Sequence, residues 1–317
     1  MEKVIDALGQ TLLGLLFSPL SRTFWPFLIA AMAIAICAKA IQVSISLRPD
    51  QRLFSSFTWF SRSAVNDYGL VTFNALIITL LLSPIFPNGD ANVSLLVHAL
   101  GAWFAPMATQ TLWWAPILLA ACLFVVDDFI RFVVHYCEHK VPLLWELHKV
   151  HHSATALNFL TAERHHPLSI VVFQFAISFG FLVVNTAFIL LLGDKISPAA
   201  LLGGNVFWIA SNLIGGVLRH SPVWVSFGPR IEKWLISPAQ HQIHHSDDER
   251  HFDRNFGGGL AIWDRMFGTL YVTSSEREDI QYGLGAETHH YGSLLALYKL
   301  PLIKIWDTLT AQKSVTG

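Results

Sequence analysis

Eight histidines in three short strings restrict what this chain can fold into more than any other feature. They are His135/His139, spaced H-x-x-x-H, and His148/His151/His152 and His241/His244/His245, each spaced H-x-x-H-H. On a helix of about 3.6 residues per turn, positions i, i+3 and i+4 share a face, so each string aims its imidazoles in one direction. A lone histidine is ordinarily a core or interfacial residue satisfied by one hydrogen bond. Three clusters at ligand spacing, set among long apolar stretches, point instead to metal ligation. Eight nitrogens exceed the roughly four that one tetrahedral zinc takes, so two metals are implied.

The surroundings of these strings are those of a membrane protein. Of 317 residues, 53% are hydrophobic and 14% charged, and the mean hydropathy is +0.47. The expected fold class is all-α: a multi-pass membrane helical bundle with a cytoplasmic helical cap that carries a histidine-rich dimetal site. A net charge of -1 gives no argument for nucleic acid as a partner. Cys37, Cys122 and Cys137 are odd in number and lack any C-x-x-C pattern, so neither a disulfide framework nor an iron–sulfur site is expected.

Spanning takes about 20 predominantly apolar residues. Candidate spans run over residues 24–47, 68–86, 113–134, 168–192 and 198–218, with 91–114 as a re-entrant or interfacial piece broken by Pro106. Residues 1–23 contain an apolar run that carries Asp6 and has no small-residue cleavage pattern, so an interfacial segment is expected there and not a cleaved signal. Lys and Arg concentrate in the connections next to the histidine strings, whereas those near Asp90 and Asp194 are nearly free of them. By the positive-inside rule all three strings then face the cytoplasm. The expected organisation is an N-terminal interfacial segment (1–23), membrane spans (24–127), a histidine-box catalytic region with two further spans (128–271) and a cytoplasmic or interfacial tail (272–317).

Other residues qualify less strongly. His220 directly follows the last span and is a candidate ninth ligand; of His165 and His166, before Pro167, His166 is the better candidate. His98 reads as structural, and His251, His289 and His290 as solvated surface residues. Asp127 and Asp128 sit in an apolar run, where a carboxylate calls for a partner. Asp128, His135 and His139 fall within about 60° of one another on a helix, so Asp128 is a ligand or an acceptor for a ligand imidazole, with an i, i+3 or i, i+4 ion pair to Arg131 as the alternative. Asp264 could pair with Arg265 or accept from a ligand imidazole, while Asp247 and Asp248 read as a solvated acidic loop.

Taken together, these residues resemble the fatty acid hydroxylase/sterol desaturase superfamily. The matching stretch starts at Asp128 and includes 144–153 (LWELHKVHHS), 161–167 (TAERHHP), His220, 237–246 (SPAQHQIHHS) and the run from Asn255-Phe256-Gly257-Gly258 to Thr269. The first string departs from the His-Arg-x-x-His of many relatives, reading His135-Tyr136-Cys137-Glu138-His139, so no substrate is carried over. The resemblance implies an integral membrane, non-haem di-iron oxygenase that uses O₂ and two electrons to hydroxylate or desaturate an unactivated C–H bond of a lipid. The eight histidines would bind two Fe ions, with His166 and His220 as additional ligands, and zinc could replace iron in recombinant protein. The residues show no flavin, nicotinamide or iron–sulfur pattern, so a separate donor of reductase, ferredoxin or cytochrome b5 type is expected. The expected location is a bacterial inner membrane, with the site on the cytoplasmic side. Two other classes compete. A membrane zinc hydrolase would need a glutamate in H-E-x-x-H, and that string is absent. A metal transporter or sensor would spread its ligands along a mid-membrane path, whereas here they gather at one face.

Overall fold

The computed structural model describes residues 24–44, 55–78, 89–101, 112–192, 206–274 and 277–316, with isolated residues elsewhere. Ten α-helices are named: α1 (Trp25–Ser44), α2 (Ser56–Phe60), α3 (Arg62–Ile77), α4 (Gly89–Leu100), α5 (Ala115–Lys140), α6 (Pro142–His152), α7 (Pro167–Leu192), α8 (Pro238–His244), α9 (Ile262–Phe267) and α10 (Leu294–Thr316). Short 3₁₀ turns at Phe159–Glu163, Val217–His220, Glu249–His251 and Gly285–Tyr291 join them. Among the described residues there is no β-strand, only isolated bridges between Leu235 and Leu260 and between Ser246 and Tyr282.

Proline and polar caps set the boundaries that matter for the histidines. Val141 is extended, with ψ of 114°, and Pro142 opens α6 at a position where its missing N–H is harmless. Helices α5 and α6 therefore meet at a sharp corner, with His139 in the last turn of one and His148 along the next. Helix α8 begins with a capping box: Ser237 accepts from the Gln240 N–H, and the Gln240 side chain accepts from the Ser237 N–H. That box, with Pro238 in the first turn, explains why a helix of only seven residues can hold three histidines in register.

Helix α7 is long and apolar enough to cross a membrane, and only 17% of its most apolar window is buried within the protein. It packs on α5 through Leu119 and Leu123 against Phe181, Val184 and Phe188. Gly180 lets the two backbones approach, since a Cβ there would run into Ile130 and Val126. Helix α1 includes a shorter apolar stretch, Trp25–Ala40. Its residues Phe27, Ala31 and Ala35 bury a stripe at i, i+4, i+8 against Val217, Leu218 and Val223.

Beneath the second histidine string lies a buried ion pair. The Arg164 guanidinium meets Asp67 of α3 at 2.7 Å, with 1% and 0% of the two side chains exposed. Arg164 also donates to the carbonyls of Val150 and Ser63 and to the Ser153 hydroxyl, while Asp67 accepts from Thr161 and Asn158. With every polar group matched, the pair can stay buried, and it clamps the C-terminus of α6 onto α3.

Several elements differ from the sequence expectation. The helix expected to begin near residue 68 starts at Arg62, capped by the Ser61 hydroxyl, and is described only to residue 78. The last candidate span is described from residue 206, where it winds from α-helix into a wide turn at Asn212–Gly216 and a tight one at Val217–His220. Within the tail (272–317), α10 is a long helix of 23 residues. His251 is buried, not solvated: its Nε2 lies 3.1 Å from Glu278 and its ring packs edge-on to Tyr271. The connections holding Arg48, Arg52 and Asp194, and nearly all of residues 1–23, lie outside the described residues.

Candidate metal centre

The three strings converge, and they divide into two groups. His135, His139, His148, His152 and His244 form one; His151, His220, His241 and His245 form the other, each with one ring nitrogen per residue within 4.8 Å of the rest. On α6, His148 and His152, a turn apart, serve the first group while His151 serves the second. On α8 and its cap the roles reverse: His241 and His245 serve the second group and His244 the first. Adjacent residues are about 100° apart around a helix, which sends neighbours to different groups.

Hydrogen bonding alone does not account for the second group. The Nε2 of His220 lies 3.1 Å from that of His151, 3.1 Å from that of His245 and 3.0 Å from that of His241. The Nε2 atoms of His241 and His245 are 3.2 Å apart. A neutral imidazole has one N–H to give and one lone pair to receive, so a single nitrogen cannot bond to three others at once. Four lone pairs turned toward a common point fit a cation held among them. In the first group the buried Nε2 atoms of His135 and His244 have no hydrogen-bond partner, and those of His139 and His152 approach to 3.1 Å.

The opposite edges of the first group's rings are held by the protein. His135 Nδ1–H donates to the Phe256 carbonyl at 2.9 Å, and His244 Nδ1–H to the Arg254 carbonyl at 2.7 Å. His148 Nδ1 lies 2.9 Å from the buried Glu138 carboxylate, whose other oxygen accepts from Ser169. Asp253 stands 3.6 Å from His139 Nδ1 and accepts from Lys140 at 2.5 Å. Fixing the proton on Nδ1 leaves Nε2 as the free donor to a metal. Burial, reinforced by repulsion among the rings, holds the imidazoles of His139, His151, His152, His241, His244 and His245 well below the usual histidine range. Burial likewise lowers His135 to about 3. All are therefore neutral at physiological pH, the form that ligates.

One loop presents both carbonyls. Asp253 and Asn255 have positive φ, 60° and 57°, a region that Asp and Asn tolerate better than most residues. The buried Asn255 is locked by giving an N–H to the Gln240 carbonyl and accepting from the Tyr271 N–H. Beyond it, Asp264 accepts from the N–H groups of Phe256 and Gly257, each at 2.8 Å, and from the Thr269 hydroxyl. Asp128 accepts from Gly259 and Leu260 N–H and from the Trp263 indole. Burial pushes the Asp264 carboxyl up to about 6. Close approach is what demands glycine: a Cβ on Gly257 would sit 2.8 Å from Asp264, Ile236 and the Leu260 carbonyl.

Of the residues singled out from the sequence, the eight string histidines and His220 are brought together. His166 is not: its Nδ1 accepts from the Leu168 N–H, and its Nε2 faces the Tyr298 carbonyl at 3.2 Å. Its neighbour His165 is the one beside the centre, stacked on His151 with ring centroids 4.6 Å apart. Asp128 and Asp264 act on the loop, not on an imidazole, and of the two ion pairs open to Arg131 the i, i+4 one forms, with Asp127 at 2.8 Å. Glu138 and the carbonyls of Arg254 and Phe256 were missed. Glu138 could have been suspected as a carboxylate beside a ligand position, but nothing in a sequence shows where a carbonyl points.

A cavity of about 590 Å³ adjoins both groups. Its lining includes His135, His148, His151, His220 and His241, the charged Arg131, Glu163 and Arg219, and from α7 Ile170, Phe173, Gln174 and Ile177. Those four lie at i, i+3, i+4 and i+7, one face of α7, whose Phe175, Phe179 and Val183 are exposed on the outside.

Residues 120–269 match a family model described as fatty acid hydroxylase. The chain is similar to alkylglycerol monooxygenase of Caenorhabditis elegans, with 27% identity over 72% of this chain and 41% of that protein. It is similar to an ornithine lipid hydroxylase of Rhizobium tropici, with 28% identity over 46% of this chain and 40% of the relative. Methylsterol monooxygenase 1 of Danio rerio shares 26% identity over 49% of this chain and 48% of its own length. The chain thus spans less than half the length of these curated relatives. No solved structure matches it.

Proposed function

Because residues 120–269 belong to the fatty acid hydroxylase/sterol desaturase superfamily, we propose that the chain is a membrane-bound, non-haem di-iron oxygenase that hydroxylates a C–H bond of a lipid. The observation that carries this reading is the pair of all-histidine groups beside a cavity lined in part by an apolar helix. When bound, two iron ions would supply the redox chemistry: O₂, two electrons and two protons convert one C–H bond to C–OH and release water. His135, His139, His148, His152 and His244 would hold one ion, and His151, His220, His241 and His245 the other.

The protein's own part is positioning and exclusion. Neutral imidazoles would hold the ions without offsetting their charge. The wall of Ile170, Phe173 and Ile177 would align an alkyl segment beside the histidines and keep water away. Since the outer face of α7 is apolar and exposed, a lipid could reach the cavity from the bilayer. The wider arrangement follows: a multi-pass helical bundle with a cytoplasmic cap, in a bacterial inner membrane. The electrons come from a separate donor of reductase, ferredoxin or cytochrome b5 type. Sterol, fatty acyl and ornithine-type substrates all suit an apolar wall.

A hydrolase is disfavoured by Glu138, which is buried and engaged with His148 and Ser169 where a hydrolase needs an available base. The test combines metal analysis of purified protein with lipidomics of membranes given reductant and O₂. Two irons per chain and an O₂-dependent gain of one oxygen atom in a lipid, both lost in His244→Ala, are expected. Zinc-dependent hydrolysis without oxygen uptake would overturn the reading.

A further inference from the structure

The outer edges of the two histidine groups are finished differently. In the first group two Nδ1 atoms hydrogen-bond to carbonyls, His135 to Phe256 and His244 to Arg254, and His148 Nδ1 lies 2.9 Å from the Glu138 carboxylate, a charge contact without hydrogen-bond geometry. In the second group the Nε2 atoms of His151 and His241 also turn inward, but their buried Nδ1 atoms have no hydrogen-bond partner among the described residues. An Nδ1–H that donates outward makes its imidazole a stronger base and fixes the ring's aim. One that lacks an acceptor does not raise the ring's basicity in this way. The first group also offers five imidazoles against four.

We propose that the two metal positions are unequal in affinity: the five-histidine position retains its ion, and the four-histidine position fills last and empties first. This rests on the di-iron reading above. Glu138 is a positioning residue for the tighter position, acting through His148, and Ser169 anchors Glu138 from α7. Partners of this kind change metal affinity by roughly 10- to 100-fold when removed, and a difference of that order is expected between the positions.

The experiment uses the full chain in detergent, stripped of metal and loaded with iron(II) without oxygen. Release to a chromogenic chelator is then followed in time, and ions per chain are counted by mass spectrometry. Two phases of equal amplitude are expected, one ion each, separated about 10- to 100-fold in rate. His241→Ala should lose the fast phase and His135→Ala the slow one. Glu138→Ala should speed the slow phase alone, and Glu138→Gln, whose carbonyl oxygen can still accept, should restore it. Should His135→Ala fail to fold, the Glu138 pair still assigns the slow phase. Release of both ions in a single phase overturns this inference and leaves the di-iron reading intact, as does a fast phase that persists in His241→Ala. A chain that takes up no ion overturns both.

Discussion

At the scale of single residues, similar histidines have unlike surroundings, and that separates ligand from bystander. His220 has its Nε2 among three other imidazole nitrogens, whereas both ring nitrogens of His166 are engaged by backbone groups. His220→Ala should therefore lose one metal ion per chain and His166→Ala none, read by metal analysis of the purified variants. A chain of letters ranks these two alike, since both precede or follow an apolar run next to a basic residue. Asp264 makes a second prediction. Its carboxyl is pushed up to about 6 from an ordinary 3.8, so between roughly pH 4 and pH 6 the folded protein holds a proton that the unfolded chain has released. Its contribution to stability is thus greatest below that window and declines as pH rises through it. The thermal midpoint of the wild type relative to Asp264→Asn should fall across that interval and stay level on either side.

At the scale of elements, the loop from Asp253 to Leu260 governs the site as much as the helices do. Two left-handed residues aim the alternate carbonyls of Arg254 and Phe256 at His244 and His135, and two buried aspartates grip the following N–H groups. Gly257→Ala would push a methyl against the Asp264 carboxylate, Ile236 and the Leu260 carbonyl. Overpacking of this kind costs about 1–3 kcal/mol. A matching loss in denaturation midpoint, with weaker metal retention, is expected, while an unchanged protein would show that the loop yields freely. The helices that carry the strings were legible in the sequence, because histidines at i, i+3 and i+4 mark a face and Pro142 and Pro238 mark helix starts. The loop's role was not, because it works through backbone groups that every residue possesses. The role of Asp128 was half legible: its unusual place in an apolar run implied a partner, but that partner proved to be a loop about 130 residues away in sequence.

At the scale of the whole molecule, α7 links the proposed membrane setting to the chemistry, with one face on the cavity and another exposed. Phe179 is 67% exposed on the outer face. If that face meets lipid, Phe179→Arg should impair insertion by about 2.5–3.5 kcal/mol. The measurement is the fraction of protein left in the membrane pellet after alkaline extraction; equal retention of variant and wild type would place that face away from lipid. Which of the candidate spans form and pair was less legible than the site, since hydropathy ranks segments one at a time and packing decides which of them pair. The division of neighbouring histidines between the two groups has a mechanical consequence. His151 and His152 differ by one step along a helix, as do His244 and His245, so the gap between the two histidine groups is gauged by helical pitch, about 1.5 Å and 100° per residue. Exchanging side chains cannot reset such a gauge. Turning or sliding either helix would shift both groups together, so the cavity walls around Phe173 and Trp208 can be reshaped while the interval between the groups stays constant.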